Sequence, residues 1–389
     1  MSDAPVPVLL VESGRVRGGT ERVVDALARG LDRRHFQPWV VIEPAPALDE
    51  WADDLRRDGV PVVRRAEITN RLQWGRAAGW FRFLRRRRHA LLHLHHVFSS
   101  ADRYLTPLAH LAGIRAVVIT EHVGAGPHSA GQRWLKRWEL SRADVPVAVS
   151  RAVASTLTEH YGVAPELVEV VANGVPGPTP LPEGGRQRLR RAWDVPADAR
   201  LWLTVGRLED QKGIDLLLTA WAALPEPRPY LAVVGEGSRR AALEAQAGGL
   251  GLAPRVRFVG AVPEARAVYG VADAFVLASR FEGMPLALLE AMAAGLPVVA
   301  AAVEGVTEVV DAVSGRLVPP LDPPALAAAV AELERDTGRA RVLGEQAAAR
   351  IAERYGDARM VDAYEAIYRR ALRLTAGAQA AAGRRAELR

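Results

Sequence analysis

Short runs of β-branched and aliphatic residues recur along this chain, and most lead into segments whose apolar residues keep helical spacing. "VPVLLVE" passes through a glycine-rich loop into "TERVVDALARGL", where Val23, Val24, Leu27, Ala28 and Leu31 recur at helical intervals. "WVVIE", "AVVIT", "VPVAVS" with "RAVASTLTEHYG", and "VEVVANGV" continue the pattern. It is interrupted by "VPGPTPLPEGG" and restarts as "LWLTVGR" with "GIDLLLTAWAAL", "YLAVVGEG" with "SRRAALEAQAGG", then "VRFVG", "AFVLAS", "ALLEAMAAG" and "PVVAA". Buried parallel strands read as continuous apolar runs, and strands alternating with helices build βαβ units. The predicted fold class is therefore α/β, with two doubly wound, Rossmann-like domains over residues 1–176 and 186–355 and a Pro/Gly-rich linker between them. Open sheets of this kind bind ligands outside the carboxyl ends of their strands. Two of them face to face would make a deep cleft. Residues 356–375 read as an amphipathic helix, with Met360, Tyr364, Ile367 and Tyr368 near one face, expected to cross back to the first domain. Residues 376–389 read as a flexible tail.

Composition narrows the chemistry. The 389 residues suffice for two cores. With no cysteine in the chain, disulfides, thiolate nucleophiles and Cys-based zinc sites are excluded. The start "MSDAPVPVLLVESG" lacks a basic n-region and its apolar core is short for a signal peptide, and no stretch has the roughly 18 apolar residues of a membrane span. The expected localisation is cytoplasmic. There is no GxxxxGK[ST], no GxGxxG and no Asp-x-Asp, which disfavours P-loop kinases, Rossmann dehydrogenases and metal-dependent single-domain transferases.

Two acids stand out in "SRFEGMPLALLEAMAAGLPVV", where Glu282 and Glu290 interrupt an apolar run. Pro285 suits a helix's first turn, and Gly295 followed by Pro297 suits its end. Glu282 then lies in the loop ahead of the helix and Glu290 about one and a half turns in, roughly 7–8 Å along the axis. Helix N-termini attract phosphate, and carboxylates accept hydrogen bonds from hydroxyls. The arrangement suits a ligand with hydroxyls at both ends and phosphate in the middle, which describes a nucleotide sugar. A bland alternative is one helix-dipole Glu and one solvated Glu. In "VGRLEDQKGID", Arg207 and Lys212 follow a strand ending near Gly206, where two cations suit a diphosphate. Lys136 and Lys212 are the chain's only lysines, so retaining Lys here suggests that the compact ammonium matters. The alternative is a solvated loop with Arg207 paired to Glu209. "ESGRVRGGTER" is a weaker phosphate-loop signal: Gly18 and Gly19 allow close approach, and Thr20 is the expected N-cap.

Together these stretches resemble glycosyltransferase family 4, retaining enzymes of the GT-B architecture. "VGRLEDQKGIDLLLTAW", "VVGEGSRR", "VRFVGAV" and "ADAFVLASRFEGMPLALLEAMAAGLPVVAAAVEGVTEVV" carry the resemblance in the second half, and "GGTE", "TEHV", "VAVSRAV" and "VVANGV" in the first. It covers most of residues 6–370. The resemblance implies that Arg207 and Lys212 hold the donor diphosphate and that Glu282 accepts from sugar hydroxyls. The backbone of Gly283, Met284, Pro285 and Leu286, beside Gly206, would line the sugar–phosphate pocket, and Glu290 would bind the ribose. Main chain near Val262 would meet the base, Gly19 would approach the donor phosphate or the acceptor, and His122 would stand by the donor's C6 hydroxyl and anomeric centre. No metal and no cofactor beyond the nucleoside-diphosphate sugar, UDP favoured, are implied. The acceptor would be a hydroxyl of a glycan, lipid-linked or small-molecule natural product. Two positions depart from the family pattern: Pro176 stands where an acid usually follows "NGV", and Val123 where an acid often follows the active-site histidine.

Among the remaining histidines, His93 and His95 share a strand face without a third metal ligand, and His96 could touch an acceptor. Asn173 could line the cleft or simply make a turn. From Arg56 to Arg88 the chain has 11 arginines against 2 acids. Within this stretch, residues 71–89 mix arginine with Trp74, Trp80, Phe81 and Phe83, suiting either an anionic membrane surface or a helix packed on the sheet with a solvated arginine face. "RWLKRWEL", with Trp134 and Trp138, could assist a membrane contact. Rival functions are a sugar phosphorylase or sugar-phosphate enzyme of the same fold, and nucleic-acid binding through the basic patch.

Overall fold

The apolar runs of the first half become a seven-stranded, wholly parallel sheet: β1 (Val6–Glu12), β2 (Phe36–Ile42), β3 (Val62–Arg64), β4 (Leu91–His96), β5 (Ala116–Glu121), β6 (Val145–Ala148) and β7 (Glu169–Val170). Their order is β3-β2-β1-β4-β5-β6-β7. The second half repeats the plan in six parallel strands: β8 (Leu201–Val205), β9 (Tyr230–Val234), β10 (Val256–Gly260), β11 (Ala274–Leu277), β12 (Val298–Ala301) and β13 (Arg316–Val318), ordered β10-β9-β8-β11-β12-β13. This computed structural model describes residues 4–16, 18–97, 103–124, 126, 129–262 and 265–387. The chain divides into two units, residues 1–173 with 357–389, and residues 174–356.

In each sheet the strand order reverses beside the first strand, so a topological switch point lies between β1 and β4 and another between β8 and β11. Chain leaving two adjacent strands in opposite directions opens a crevice at their carboxyl ends. The second unit's core is built on Trp202 of β8 and Trp221, edge to face at 5.9 Å, with Leu217, Leu231, Val276 and Val330 fully buried beside them. Both indole N–H groups find acceptors, Trp202 on Glu334 at 2.9 Å and Trp221 on the Pro229 carbonyl at 3.0 Å, as buried indoles require.

Three details differ from the sequence expectations. The passage from Val175 to Gly185 is not a free linker: the unit boundary falls between Asn173 and Gly174, and Leu181 packs so closely on Gly270 that a Cβ there would meet it at 3.0 Å. Apolar Leu181 turns this Pro-rich passage into a strap on the second unit. The last helix, Asp357–Glu387, runs on through most of the segment expected as a tail, because its alanine-rich sequence has high helix propensity. It groups with the first unit, its Tyr364 and Tyr368 fully buried and its Glu365 accepting from the Asp32 N–H at 2.6 Å. Thr20 is not the N-cap of the helix Gly19–Gly30: Gly18 is, in extended conformation, and Glu21 reaches back to its N–H at 2.8 Å. With that donor served by a glutamate three residues on, the threonine is free to be buried in the first turn.

Candidate active site

In the second unit, the loops leaving β8 and β11 meet at the switch point. Gly213 closes the first loop at φ +62°, and a Cβ there would fall 2.0 Å from the Ala278 carbonyl oxygen, so only glycine lets the loops approach this closely. Arg280 locks them together: its N–H donates to the Gln211 carbonyl at 2.8 Å, and its guanidinium grips Asp215 through two bonds of 2.8 and 2.7 Å. The Lys212 stem folds over Gly206, where an added Cβ would lie 3.2 Å from Lys212 Cε. Its Nζ reaches Glu282 Oε1 at 2.6 Å. Ser279 Oγ donates to the same oxygen at 2.6 Å, and Gln211 Nε2 anchors the loop by donating to the Phe281 carbonyl at 3.1 Å.

Arg207 is exposed and donates to Gln211 Oε1 at 3.3 Å. Glu209, the partner that would have made Arg207 an ordinary surface pair, instead accepts from the Ser238 N–H at 2.9 Å and hydroxyl at 2.7 Å. Those bonds, more than the neighbouring arginines, hold its carboxyl below the usual range. Two cations therefore stand on one loop, one exposed and one placed against an acid of the neighbouring loop.

That acid precedes the helix Leu286–Ala293, whose N-cap is Pro285. Gly283, Met284 and Leu286 are buried, and the loop presses on Gly305, at φ +77°, where a Cβ would sit 2.0 Å from the Gly283 carbonyl oxygen. Glu290, further along the helix, is buried and accepts from the Tyr269 hydroxyl at 2.8 Å. It opens onto a cavity of about 410 Å³ between the strap, Tyr269 and the helix face of Ala293 and Ala294. Val262 is half-buried just beyond the carboxyl end of β10. Arg207, Lys212, Glu282 and the 283–286 backbone thus come together in one unit, with Glu290 a turn beyond. Tyr269 was missed by sequence reading, although a tyrosine 21 residues before Glu290 has no local pattern that could reveal the contact.

The first unit holds His122 and Gly19. Gly19 opens its helix immediately after Gly18, downstream of β1. His122 directly follows β5, donates its backbone N–H to the His96 carbonyl at 2.9 Å, and places Nε2 3.1 Å from His95 Nδ1. His93 is committed at both nitrogens, to Tyr368 at 2.7 Å and to Thr120 at 2.8 Å, and Thr120 also meets the Tyr364 hydroxyl at 3.1 Å. Among the described residues no three His, Cys, Asp or Glu side chains could hold a metal ion together.

Burial lowers the His122 pKa to about 4, against a raising pull from Glu121, and pushes His93 and His95 well below their ordinary value. The unfolded chain takes up protons at these histidines below pH 6.5 that the folded chain refuses. Stability should therefore fall with pH across the window from 6.5 to about 4, by about 3 kcal/mol for His122 alone. Urea unfolding of the intact chain from pH 7.5 to 4.5 checks this, and a midpoint that does not move would refute it.

Beside the histidines lies a cluster that sequence reading did not find. Lys136, fully buried on the helix Ala130–Leu140, contacts Glu121 at 2.5 Å, Glu139 at 3.0 Å and His96 Nδ1 at 2.8 Å. Burial alone would raise the Glu121 carboxyl, but Lys136 and His96 hold it at about 2. His96, a possible acceptor contact by sequence, is fully buried in this cluster. The available signal was that Lys136 is one of only two lysines in the chain and stands three residues before Glu139.

In the basic segment, Trp80, Phe83 and Leu84 are buried and Arg65 lies 4.4 Å over the Phe83 ring, as for a helix packed on its unit. Leu72 and Trp74, by contrast, are 76% and 74% exposed at its start. In "RWLKRWEL" the helix turns Lys136, Glu139 and Leu140 inward and leaves Trp134 exposed.

The profile "Glycosyl transferases group 1" matches residues 185–350, and "Glycosyltransferase Family 4" matches residues 17–176. A D-inositol 3-phosphate glycosyltransferase of Kineococcus radiotolerans is 35% identical over 320 residues, covering 74% of this chain and 72% of that protein. Among solved structures, a glycosyltransferase of Rickettsia africae superposes with a TM-score of 0.81 at 20% identity, covering 95% of this chain and 99% of the other. Anabaena HepE in complex with UDP-glucose gives 0.80 at 22% identity, covering 93% and 99%.

Proposed function

We propose that this chain, which belongs to glycosyltransferase family 4, is a retaining hexosyltransferase that moves a sugar from a nucleoside-diphosphate donor to an acceptor hydroxyl without a metal ion. The observation that carries the donor reading is the Lys212–Glu282 contact of 2.6 Å at the switch point of the second sheet. It sets an ammonium and a carboxylate side by side at a helix entrance, where a diphosphate and a hydroxylated sugar would be needed together.

Each residue then has a task that its chemistry fits. Lys212 and the exposed Arg207 neutralise the charge that grows on the departing diphosphate, aided by the N-terminus of the helix Leu286–Ala293. Glu282 accepts from sugar hydroxyls, and the buried 283–286 backbone shapes the pocket around them. Glu290, steadied by Tyr269, accepts from the ribose hydroxyls. Main chain near Val262 meets the base, Gly19 admits the phosphate or the acceptor, and His122 serves the sugar's C6 hydroxyl. The diphosphate leaves the same face of the sugar that the acceptor enters, and it takes the acceptor's proton. No side-chain base is then needed, and the rate rests on charge stabilisation and positioning.

A uridine diphosphate donor is favoured because the HepE neighbour was solved with UDP-glucose. UDP should raise the melting temperature, GDP less so, and transfer from UDP-sugars should persist in EDTA. No shift with any nucleoside diphosphate would reject the donor reading, and loss of activity in EDTA restored by Mg²⁺ would reject the metal-free mechanism. The name of the Kineococcus relative puts a phosphorylated polyol in the acceptor screen, alongside glycan, lipid-linked and natural-product hydroxyls.

We also assign the chain to the cytoplasm, with a peripheral station on the inner face of the membrane. Among the described residues no helix is long and apolar enough to cross a bilayer. The exposed Leu72 and Trp74, at the start of a segment whose Arg82, Arg85, Arg86 and Arg88 are also exposed, would supply the interfacial contact. The chain should sediment with anionic vesicles at low salt and not with neutral ones. No sedimentation at low salt ends this assignment.

A further inference from the structure

His122 Nε2 and His95 Nδ1 lie 3.1 Å apart, so one nitrogen carries the shared proton and the other accepts it. Two arrangements satisfy this contact. In one, His122 donates from Nε2, which puts the His95 proton on its own Nε2. In the other, His95 donates from Nδ1, leaving a lone pair on His95 Nε2 and the His122 proton on Nδ1. His95 Nε2 is fully buried and, among the described residues, has no hydrogen-bond partner. The first arrangement would bury an unpaired N–H there, whereas the second buries only an unused lone pair. Orphaned buried donors are rarer in folded proteins than under-used acceptors.

We propose that His95 is a positioning residue that fixes His122 as the Nδ1–H tautomer, so that His122 offers an N–H donor, not a lone pair, to the bound sugar nucleotide. The tautomer follows from the first unit's side chains alone, while its use by a donor sugar rests on the role proposed above for His122.

The surroundings make this an ordered device. The His93 ring lies 3.9 Å from the His95 ring, tilted by 39°, and both His93 nitrogens are committed to Thr120 and Tyr368, so the His95 ring is clamped on that side. On the other side the His122 ring lies nearly parallel to it, 5.4 Å away and tilted by 28°. Burial keeps both rings uncharged at neutral pH, so each has a definite tautomer. A sugar hydroxyl can both donate and accept, but a fixed Nδ1–H makes it the acceptor and frees its own proton for another group.

The test is a long-range ¹H–¹⁵N spectrum of the full chain labelled at histidine, with the His122 signals assigned by their loss in His122→Gln. Free histidine favours Nε2–H in water, so an Nδ1–H pattern at His122 would have to be imposed by the fold. Wild type should show that pattern near pH 7.5. His95→Phe should return His122 to mainly Nε2–H and lower kcat about tenfold, and His95→Gln, whose amide can still donate, should restore the Nδ1–H pattern and most of the rate. An Nε2–H pattern in wild type, or an unchanged His122 spectrum in His95→Phe, overturns the proposal. If His95→Phe does not fold, the wild-type spectrum decides alone. Nδ1–H in wild type combined with full transfer activity in His122→Ala would leave the tautomer assignment standing and reject the role of His122 at the sugar.

Discussion

Lys212→Ala should lower kcat by roughly 10²-fold or more, as removal of a group that meets developing charge does. The ammonium is held by Glu282 at 2.6 Å and its stem lies over Gly206, so it is in place before the diphosphate begins to leave. A preplaced charge costs little reorganisation in the transition state, which is why the loss should fall on kcat more than on KM. Arg207→Ala should act in the same direction, because both cations stand on the loop between β8 and the helix Ile214–Ala222. Lys212→Arg separates charge from shape: the planar fork keeps the charge but cannot fold over Gly206 as a compact ammonium does. Steady-state kinetics against the donor would check this. Activity of Lys212→Ala within a few-fold of wild type would remove Lys212 from the mechanism.

The parts of this site that were legible in the sequence are those that one loop or one helix turn brings together. Continuous apolar runs reveal β8 and β11, and Arg207, Lys212 and Glu282 follow those strands directly, so their meeting needs only that the strands be neighbours. The pairing of β8 with β11 supplies that, with Trp202 opposite Ala274 and Leu203 opposite Phe275. What was not legible depends on contacts between distant segments. His93 meets Tyr368 across 275 residues, and no periodicity in "LLHLHH" or in the last helix announces it. The helical face of Tyr364 and Tyr368 was visible as apolar, but not that their hydroxyls would serve a strand of the first sheet. The strap was misread because proline and glycine mark a break in secondary structure without telling whether the chain leaves the surface. Here one apolar side chain, Leu181, decides it. β13, three residues long with only Val318 buried, has too little pattern to be separated from a loop.

The buried cation of the first unit carries the largest expected effect on stability. Lys136→Met removes the only lysine that contacts Glu121 and Glu139, both almost wholly buried. Stripping one partner from a buried ion pair leaves charge without compensation and typically costs about 3–5 kcal/mol. For a unit of this size that lowers the melting temperature by on the order of 10 °C. The pH dependence identifies the cause. In wild type, the Glu121 carboxyl is held at about 2 against an ordinary 4.5, so its pairing contributes fully above pH 4.5 and is lost as pH falls towards 2. In Lys136→Met, burial acts unopposed by the lysine and raises the same carboxyl, so protonation relieves the variant and the gap from wild type should narrow as the solution is acidified. Adding Glu121→Gln should recover part of the loss at neutral pH, because a neutral amide can be buried where an unpaired carboxylate cannot. Melting curves of the three proteins between pH 7.5 and 4.5 would show it. A Lys136→Met variant that melts within two or three degrees of wild type throughout would mean that the buried carboxylates find compensation elsewhere, and that the lysine does not hold the end of β5, and His122 with it, in place.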